Sequence, residues 1–269
     1  MYKLIALDLD GTLLTSDKTI SENTKQAIAR AREKGIKIVL ASGRPLDGMS
    51  SLLDQLDLVN HNEFVVYFNG SMVKELGSDK VIHQAILNGK QAKKVANLAN
   101  ELGLFCHAFS TEYGLITPEQ NEFTDIESTI NGVPVTEMSF DAIADDHPIV
   151  KAMIVGEPRK LTEAIKNIPA ELHREFTIVQ SAPFFLEFLN LDSNKGIGIQ
   201  AICEYLAIDS TDVICVGDAE NDHHMIEYAG LGVAMNNAMP QTKAIADYIT
   251  DSNNDDGVAK VIDKFILNL

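Results

Sequence analysis

The sequence is poor in cysteine and has no long apolar stretch. Only three of its 269 residues are cysteine (Cys106, Cys203 and Cys215), and none forms a CxxC pair. We therefore expect neither a disulfide framework nor a cysteine-bound zinc site, and a reducing compartment, the cytoplasm, fits this composition. No run approaches about 18 uncharged apolar residues, which argues against a membrane-spanning helix. Two aspartates end the apolar run of residues 4–7 too early for a signal peptide.

Positive charge is also scarce. The chain has 22 Lys and Arg against 39 Asp and Glu, a formal net charge of −17. This balance argues against electrostatic binding to nucleic acid phosphates or to anionic lipid. The acids are spread along the chain rather than gathered in a tail, which is typical of a soluble surface. The 45% hydrophobic and 23% charged residues indicate a globular protein of one large or two moderate domains.

Short apolar runs alternate with helical patterns over both ends of the chain. The strands predicted there cover residues 3–9, 36–41, 64–68, 212–216, 231–235 and 248–250. Between them, the clearest helix begins after the N-cap candidate Ser21 and ends at Gly35. Such alternation predicts an α/β fold with one Rossmann-like, doubly wound parallel sheet, built from the two ends of the chain.

The middle of the chain has a different pattern. Strand signals there follow one another directly, and helices stand apart from them, which predicts an α+β unit with an antiparallel sheet and helices on one face. We expect this unit to be a domain inserted into the first. The predicted division is residues 1–84 and 189–269 for the core and 85–188 for the insert.

Polar side chains gather where the predicted strands of the core end. Open parallel sheets bind ligands at the carboxyl ends of their strands, so separate segments can meet there. The residues concerned are Asp8, Asp10, Ser42, Asn69, Asp218, Asn221 and Asp222. Their convergence predicts a single site at this edge of the sheet.

The first of these segments is Asp8-Leu9-Asp10-Gly11-Thr12. An ionised carboxylate can act as a nucleophile without an activating base. A second carboxylate two residues later can protonate a leaving oxygen and then deprotonate water. The alternative is that both acids only cap a turn at the end of the strand.

The second acidic segment runs from Gly217 to Asp222. Asp218 and Asp222, together with Asp8 and a backbone carbonyl, form an oxygen set that suits octahedral Mg²⁺. The alternative is that Asp218 and Asn221 merely cap the helix that follows. The adjacent His223-His224 pair is expected in an exposed first helical turn rather than at a metal.

A phosphate site is expected beside these acids. The Ser42 hydroxyl and the Gly43 N–H can form an anion cradle, and the Lys195 ammonium can neutralise developing negative charge. Taken alone, each of these residues is more often an ordinary surface residue. No Walker A sequence or complete dinucleotide-binding glycine pattern occurs. Asp255-Asp256-Gly257 is expected to cap the last helix.

In this order, the segments resemble the four motifs of the haloacid dehalogenase superfamily of phosphohydrolases. The matching motifs are Asp8-Leu9-Asp10-Gly11-Thr12-Leu13, Ser42, Lys195 and Gly217-Asp218-Ala219-Glu220-Asn221-Asp222. The insert corresponds to a C2-type cap, and the subgroup resembled is that of the Cof-type sugar phosphatases. The resemblance covers essentially the whole chain.

The resemblance implies a role for each motif residue. Asp8 would be the nucleophile and a Mg²⁺ ligand, and Asp10 the general acid and base that also meets the metal through its carbonyl. Asp218 would bind the metal, with Asp222 supporting it. The residues implied at the phosphate are Leu9, Ser42, Gly43, Lys195 and Asn221.

The function expected from the resemblance is Mg²⁺-dependent hydrolysis of small soluble phosphate esters, sugar phosphates first. A phosphomutase with the same phosphoaspartyl intermediate is the alternative, and a non-enzymatic phosphoacceptor domain is a more distant one. Nucleic acid and membrane partners are not expected, and the oligomeric state is left open.

Overall fold

The computed structural model describes residues 1–59 and 62–268. It divides into two compact units, one formed by Met1–Gln84 and Asn194–Leu269 and the other by Ala85–Ser193. The insert predicted from the sequence spans residues 85–188, and the second unit of the structure spans Ala85–Ser193. Within that unit, the side-chain amide of Asn190 donates to the carbonyl of Ile86 at 2.9 Å, which joins the end of the unit to its beginning.

The strands and helices alternate as follows. The strands are β1 Leu4–Leu7, β2 Lys37–Ala41, β3 Phe64–Tyr67, β4 Met72–Glu75, β5 Lys80–Gln84, β6 Leu87–Asn88, β7 Phe105–Ser110, β8 Gly114–Thr117, β9 Val135–Glu137, β10 Pro148–Val155, β11 Thr177–Ala182, β12 Phe185–Leu189, β13 Val213–Gly217, β14 Leu231–Ala234 and β15 Tyr248–Ile249. The α-helices are α1 Glu22–Glu33, α2 Ser50–Gln55, α3 Gly89–Glu101, α4 Glu122–Asn131, α5 Pro158–Ile165, α6 Lys195–Leu206, α7 His223–Tyr228, α8 Pro240–Ile245 and α9 Gly257–Ile262. Short 3₁₀ turns cover Asp47–Met49, Phe68–Gly70, Phe140–Ala142, Leu172–Arg174, Ser210–Asp212 and Glu220–Asp222, and a π-helical turn covers Asp263–Leu267.

The first unit is built on a sheet with the strand order β15-β14-β13-β1-β2-β3-β4-β5. The strands from β15 to β3 are parallel, so the predicted doubly wound sheet is confirmed. Its central strands are continuous apolar runs, as in Leu4–Leu7, because helices cover both faces of a parallel sheet. The hairpin of β4 and β5 adds two antiparallel strands that the sequence pattern did not predict.

The N-termini of α1 and α9 test the helix caps that the sequence predicted. Ser21 caps α1 as predicted, and its hydroxyl accepts a hydrogen bond from the N–H of Thr24. Asp256 is the N-cap residue of α9, as predicted, but its side chain makes no capping hydrogen bond to that helix. The carboxylate of Asp256 accepts hydrogen bonds from Ser21 Oγ at 2.5 Å and Asn23 Nδ2 at 2.7 Å, so it joins the start of α9 to the start of α1.

The second unit has a largely antiparallel sheet in the order β11-β12-β10-β7-β8-β9, with β6 paired to β10. On one face, Ala108, Ile154 and Phe188 form a core with residues of α3 and α5. Side chains alternate between the faces of a strand, so Lys151 and His107 point to the other face.

Helix α4 covers that other face, where its residues Thr124 and Glu127 contact His107 and Lys151. The prediction of helices on one face only was therefore wrong. The buried positions of α4 include the polar residues Thr124, Glu127 and Asn131. The apolar periodicity that marks a core-facing helix is therefore weak in α4.

Among residues 1–59 and 62–268, no helix combines the length and apolar character that a membrane crossing requires.

Candidate active site

The parallel strands bring their carboxyl ends together at one edge of the sheet. Residues Leu7, Leu40 and Val216 lie side by side in neighbouring strands. The residues that directly follow these strands are Asp8, Ser42 and Asp218. The backbone N–H of Asp8 donates to the carbonyl of Val216 at 3.1 Å, which fixes the aspartate beside the end of β13. The predicted convergence at this edge is therefore present in the fold.

Three acids form a compact cluster there. One carboxylate oxygen from each of Asp8, Asp218 and Asp222 lies within 4.8 Å of the others. Burial, followed by repulsion from Asp222, raises the pKa of Asp8 to about 8 against the opposing effect of Lys195. Burial and repulsion from Asp222 likewise raise the pKa of Asp218 to about 6. A set of hard oxygen donors with this excess of negative charge fits a divalent cation such as Mg²⁺.

Lys195 is the cation within this cluster. Its side chain is fully buried, and Nζ donates to Asp8 Oδ1 at 2.5 Å and to Asp222 Oδ1 at 2.7 Å. Burial by itself would lower the pKa of Lys195, but the charges of Asp222 and Asp8 outweigh it and raise the pKa. Because Lys195 is the first residue of α6, the start of that helix is fixed against the end of β1.

Asp222 is held by three N–H donors of the protein. In addition to Lys195, the backbone N–H groups of Asp218 and Ala219 donate to its Oδ2 at 2.8 and 3.0 Å. The carboxylate thus shapes the segment that carries Asp218 and also orients the lysine. This arrangement agrees with the supporting role that the resemblance implies for Asp222.

Steric contact explains why residue 11 of the first motif is glycine. Gly11 has φ of +87°, and a Cβ on it would collide with the carboxylate of Asp218. The next residue, Thr12, donates from Oγ1 to Asp218 Oδ1 at 3.1 Å. The turn after β1 therefore packs on the acid that ends β13, which explains why glycine and threonine follow the two aspartates.

Asp10 lies apart from the acid cluster and faces two cations. Arg44 donates to its carboxylate from Nε at 3.0 Å and from Nη2 at 2.7 Å, and Lys18 Nζ donates at 2.8 Å. Burial by itself would raise the pKa of Asp10, but Arg44 and Lys18 outweigh it, so the pKa is lowered.

The sequence reasoning missed both of these cations. Arg44 directly follows the predicted Ser42-Gly43 cradle, which was the available signal. Lys18 reaches Asp10 because the chain turns at this point. Lys18 has φ of 59°, and its backbone N–H donates to the carbonyl of Thr15.

The residues expected at a phosphate lie around the same edge. Ser42 is buried, and its Oγ accepts the backbone N–H of Arg44 at 3.2 Å. Asn221 is exposed and donates from Nδ2 to Asn69 Oδ1 at 3.1 Å. The side chain of Leu9 is fully buried, so only its backbone is available to an anion.

The histidine pair begins α7, as predicted. His224 is exposed, whereas His223 is partly buried and its Nε2 lies 2.9 Å from Thr242 Oγ1.

Comparison with known proteins agrees with this geometry. Residues 5–262 match the family model of haloacid dehalogenase-like hydrolases. The Bacillus subtilis protein YxeH, whose name places it with phosphatases, is 37% identical over 269 residues and covers 99% of both chains. The 5-amino-6-(5-phospho-D-ribitylamino)uracil phosphatase YcsE of Bacillus subtilis is 31% identical over 98% of this chain and 96% of its own.

Solved structures give the same result. A haloacid dehalogenase-like hydrolase from Bacteroides thetaiotaomicron superposes with a TM-score of 0.88 at 32% identity, covering 99% of this chain and 100% of the other. A sugar phosphatase of haloacid dehalogenase subclass IIB has a TM-score of 0.78 at 26% identity, covering 98% of each chain. Together with the names of the relatives, these matches support a phosphatase enzyme. The chain belongs to the haloacid dehalogenase-like hydrolases.

Proposed function

We propose that this protein is a Mg²⁺-dependent phosphomonoesterase that acts through a phosphoaspartyl intermediate on Asp8. The observation that carries the proposal is the contact of Asp8 with the fully buried Lys195, beside the carboxylates of Asp218 and Asp222. A carboxylate attacks a phosphate ester only when cations offset the repulsion between the two anions. At Asp8, Lys195 is one such cation, and the cluster of acids suits a divalent metal ion as a second.

In the first half of the reaction, a carboxylate oxygen of Asp8 bonds to phosphorus, and the bond to the ester oxygen breaks. Because Arg44 and Lys18 hold the pKa of Asp10 below its ordinary value, its carboxylate first takes up a proton from solvent. Asp10 then passes that proton to the departing oxygen, which leaves as an alcohol. In the second half, Asp10 takes a proton from water, and the water oxygen attacks the acyl phosphate. The bond between phosphorus and the Asp8 oxygen breaks, and inorganic phosphate departs. Asp8 is again a carboxylate, and Asp10 carries the proton that it took from water.

The metal would be held by Asp8 and Asp218, with Asp222 and the backbone carbonyl of Asp10 supporting the set. Bound there, Mg²⁺ would offset the repulsion between the carboxylate of Asp8 and the phosphate.

The phosphate oxygens would meet donors from four segments. We assign Lys195 to the side of Asp8, the Ser42 hydroxyl and the Gly43 N–H to the end of β2, and Asn221 to the end of β13. The backbone of Leu9 adds a donor next to the nucleophile. These donors favour the transition state because they are fixed before the charge develops.

We further propose that small soluble metabolites, and sugar phosphates first among them, are the substrates. Two observations support this choice: the likeness to a sugar phosphatase structure and the names of relatives that act on a phosphorylated sugar-alcohol derivative. The inserted unit of residues 85–193 is assigned as the cap, and the cytoplasm is the proposed location.

The test is a panel of phosphate monoesters, including hexose and pentose phosphates, nucleotides and a phosphoprotein, assayed with Mg²⁺ for release of inorganic phosphate. The Asp8→Asn protein serves as the control for contaminating phosphatases. Phosphorus NMR of the products separates a hydrolase from a phosphomutase, because the first gives free phosphate and the second gives an isomerised sugar phosphate. Failure of every ester to release phosphate would refute the proposed activity.

A further inference from the structure

The turn after β3 has an unusual backbone. Phe68, Asn69 and Gly70 have φ values of 50°, 54° and 95° in succession. Left-handed backbone is uncommon for residues other than glycine, and it is least favourable for a bulky side chain such as that of phenylalanine. Residues held in this way tend to cluster at functional sites, where the surrounding structure enforces the conformation.

Contacts on two sides enforce this turn. The N–H of Phe68 donates to the carbonyl of Arg44 at 3.0 Å, and the N–H of Asn69 donates to the carbonyl of Ser42 at 2.9 Å. On the other side, a Cβ on Gly70 would collide with the carbonyl oxygen of Asn194. The turn is therefore wedged between the Ser42–Arg44 segment and the residue that precedes Lys195.

The Asn69 side chain connects two of the residues assigned to phosphate. Its Oδ1 accepts the hydrogen bond from Asn221 Nδ2 at 3.1 Å. Its amide also lies over Gly43, where an added Cβ would be only 3.0 Å from Asn69 Nδ2. Asn221 is otherwise exposed, so a fixed acceptor decides which way its amide faces.

We infer that Asn69 is a positioning residue, which acts through Asn221 to orient that amide toward a phosphate oxygen. An amide nitrogen has two N–H donors. Asn69 engages one of them and leaves the other to the anion. The inference rests on the proposed function, since it assigns a further residue to the same phosphate site.

The test begins with Asn69→Gly, because glycine keeps the left-handed backbone and removes only the amide. We expect kcat/KM for the best phosphate ester to fall about tenfold, in line with the loss of one oriented hydrogen bond. Ala207→Gly is the matched control, since Ala207 is an exposed residue with φ of 54° at the end of α6. Its kcat/KM should equal that of the wild type, and both variants should melt within a few degrees of it.

A double-mutant cycle distinguishes positioning from a merely structural role. If Asn69 acts through Asn221, then Asn69→Gly should lower kcat/KM by less than about twofold in a protein that already carries Asn221→Ala. Independent, multiplying losses in the double variant would overturn the inference, and so would an unchanged kcat/KM in Asn69→Gly alone.

Binding of inorganic phosphate with Mg²⁺, measured by calorimetry, provides a readout that needs no turnover. If the wild type hydrolyses no ester but binds phosphate about tenfold more tightly than Asn69→Gly, the proposed function fails and the inference stands. Equal phosphate binding by the two proteins, with an active wild type, overturns the inference and leaves the proposed function intact.

Discussion

Arg44 grips Asp10 with two parallel hydrogen bonds, from Nε to Oδ2 and from Nη2 to Oδ1. This forked geometry is the strongest pairing that a carboxylate and a guanidinium form. Lys18 adds a third, partly exposed contact to the same carboxylate. The three hydrogen bonds fix the orientation of Asp10 and favour its ionised form. In the proposed mechanism, that form takes a proton from water in the second half-reaction.

The two parallel hydrogen bonds from Arg44 to Asp10 should matter more for activity than the positive charge of Arg44. Arg44→Lys keeps the positive charge and loses the two parallel bonds, and we expect kcat to fall about 10- to 100-fold because the acid and base group is then misplaced. Lys18→Met, which removes a single partly exposed contact, should have a smaller effect. Steady-state kinetics with the best ester provide the measurement. A kcat for Arg44→Lys within twofold of the wild type would show that Asp10 needs no such support.

Replacing the nucleophile should stop turnover and leave the fold intact. An amide in Asp8→Asn keeps the shape of the side chain but cannot form the acyl phosphate. Asp10→Asn should instead slow the reaction roughly 10²- to 10⁴-fold, as expected for a lost general acid and base. Asp17→Asn is the control, because Asp17 is an exposed aspartate on the same segment. Phosphate release in a correctly folded Asp8→Asn protein at the wild-type rate would exclude the mechanism.

Activity should depend on a divalent cation. Excess EDTA should abolish phosphate release, and Mg²⁺ should restore it. Asp218→Asn removes one of the clustered carboxylates, so its half-saturating Mg²⁺ concentration should rise about tenfold or more. Glu220→Gln removes the same charge from an exposed residue nearby and serves as the control. Full activity in EDTA, with no metal found by elemental analysis, would contradict this prediction.

The core of the fold was predictable because its signals are local. Apolar runs mark β1 and β13, and Ser21 marks the start of α1. Helix α4 escaped prediction because its buried face carries Thr124 and Glu127, whose burial depends on partners from distant strands. The hairpin of β4 and β5 ends the sheet and mixes buried residues such as Val73 with exposed ones such as Val81, so its apolar pattern is weak.

In the candidate site, too, some residues were predictable from the sequence and others were not. Its acids and Lys195 occur in recognisable motifs, and topology alone brings the ends of parallel strands together. The partners of Asp10 were not recognised, because Arg44 and Lys18 reach it through turns of specific geometry. The link from Asn69 to Asn221 joins residues 152 positions apart, a separation at which spacing carries no signal.

The buried lysine of the second unit should be critical for stability. Lys151 is 3% exposed, and its Nζ lies 3.4 Å from Glu127 and 3.2 Å from Glu187. Lys151→Met leaves two buried carboxylates without this counter-charge, which should cost about 3–5 kcal/mol in the free energy of unfolding. Urea unfolding provides the measurement.

Two further variants test the origin of that loss. Neutralising both acids as well, in Glu127→Gln and Glu187→Gln, should recover much of it. Lys166→Met breaks the exposed pair with Glu163 and should change stability by no more than about 1 kcal/mol. Equal costs for Lys151→Met and Lys166→Met would mean that burial of the ion cluster is irrelevant.

His107 should make the protein less stable as the pH falls. The ring is fully buried, with Nδ1 3.1 Å from Thr124 Oγ1 and Nε2 3.2 Å from Met153 Sδ. Burial, assisted by the charge of Lys151, lowers the pKa of His107 to about 3. In the unfolded chain a histidine pKa is about 6.5, so below that pH only the unfolded state takes up the proton. The free energy of unfolding therefore falls by about 1.4 kcal/mol for each unit by which the pH drops, until the pH approaches the pKa of His107 in the folded state.

His107→Gln isolates this contribution, because glutamine can still hydrogen-bond but does not titrate. Between pH 6.5 and 4.5 the wild type should lose about 2–3 kcal/mol more of its free energy of unfolding than the variant does. Urea titrations at several pH values measure both curves. His173→Gln, the same substitution at an exposed position, is the control for the change of side chain itself. Parallel curves for the wild type and His107→Gln would show that His107 is not held neutral by the fold.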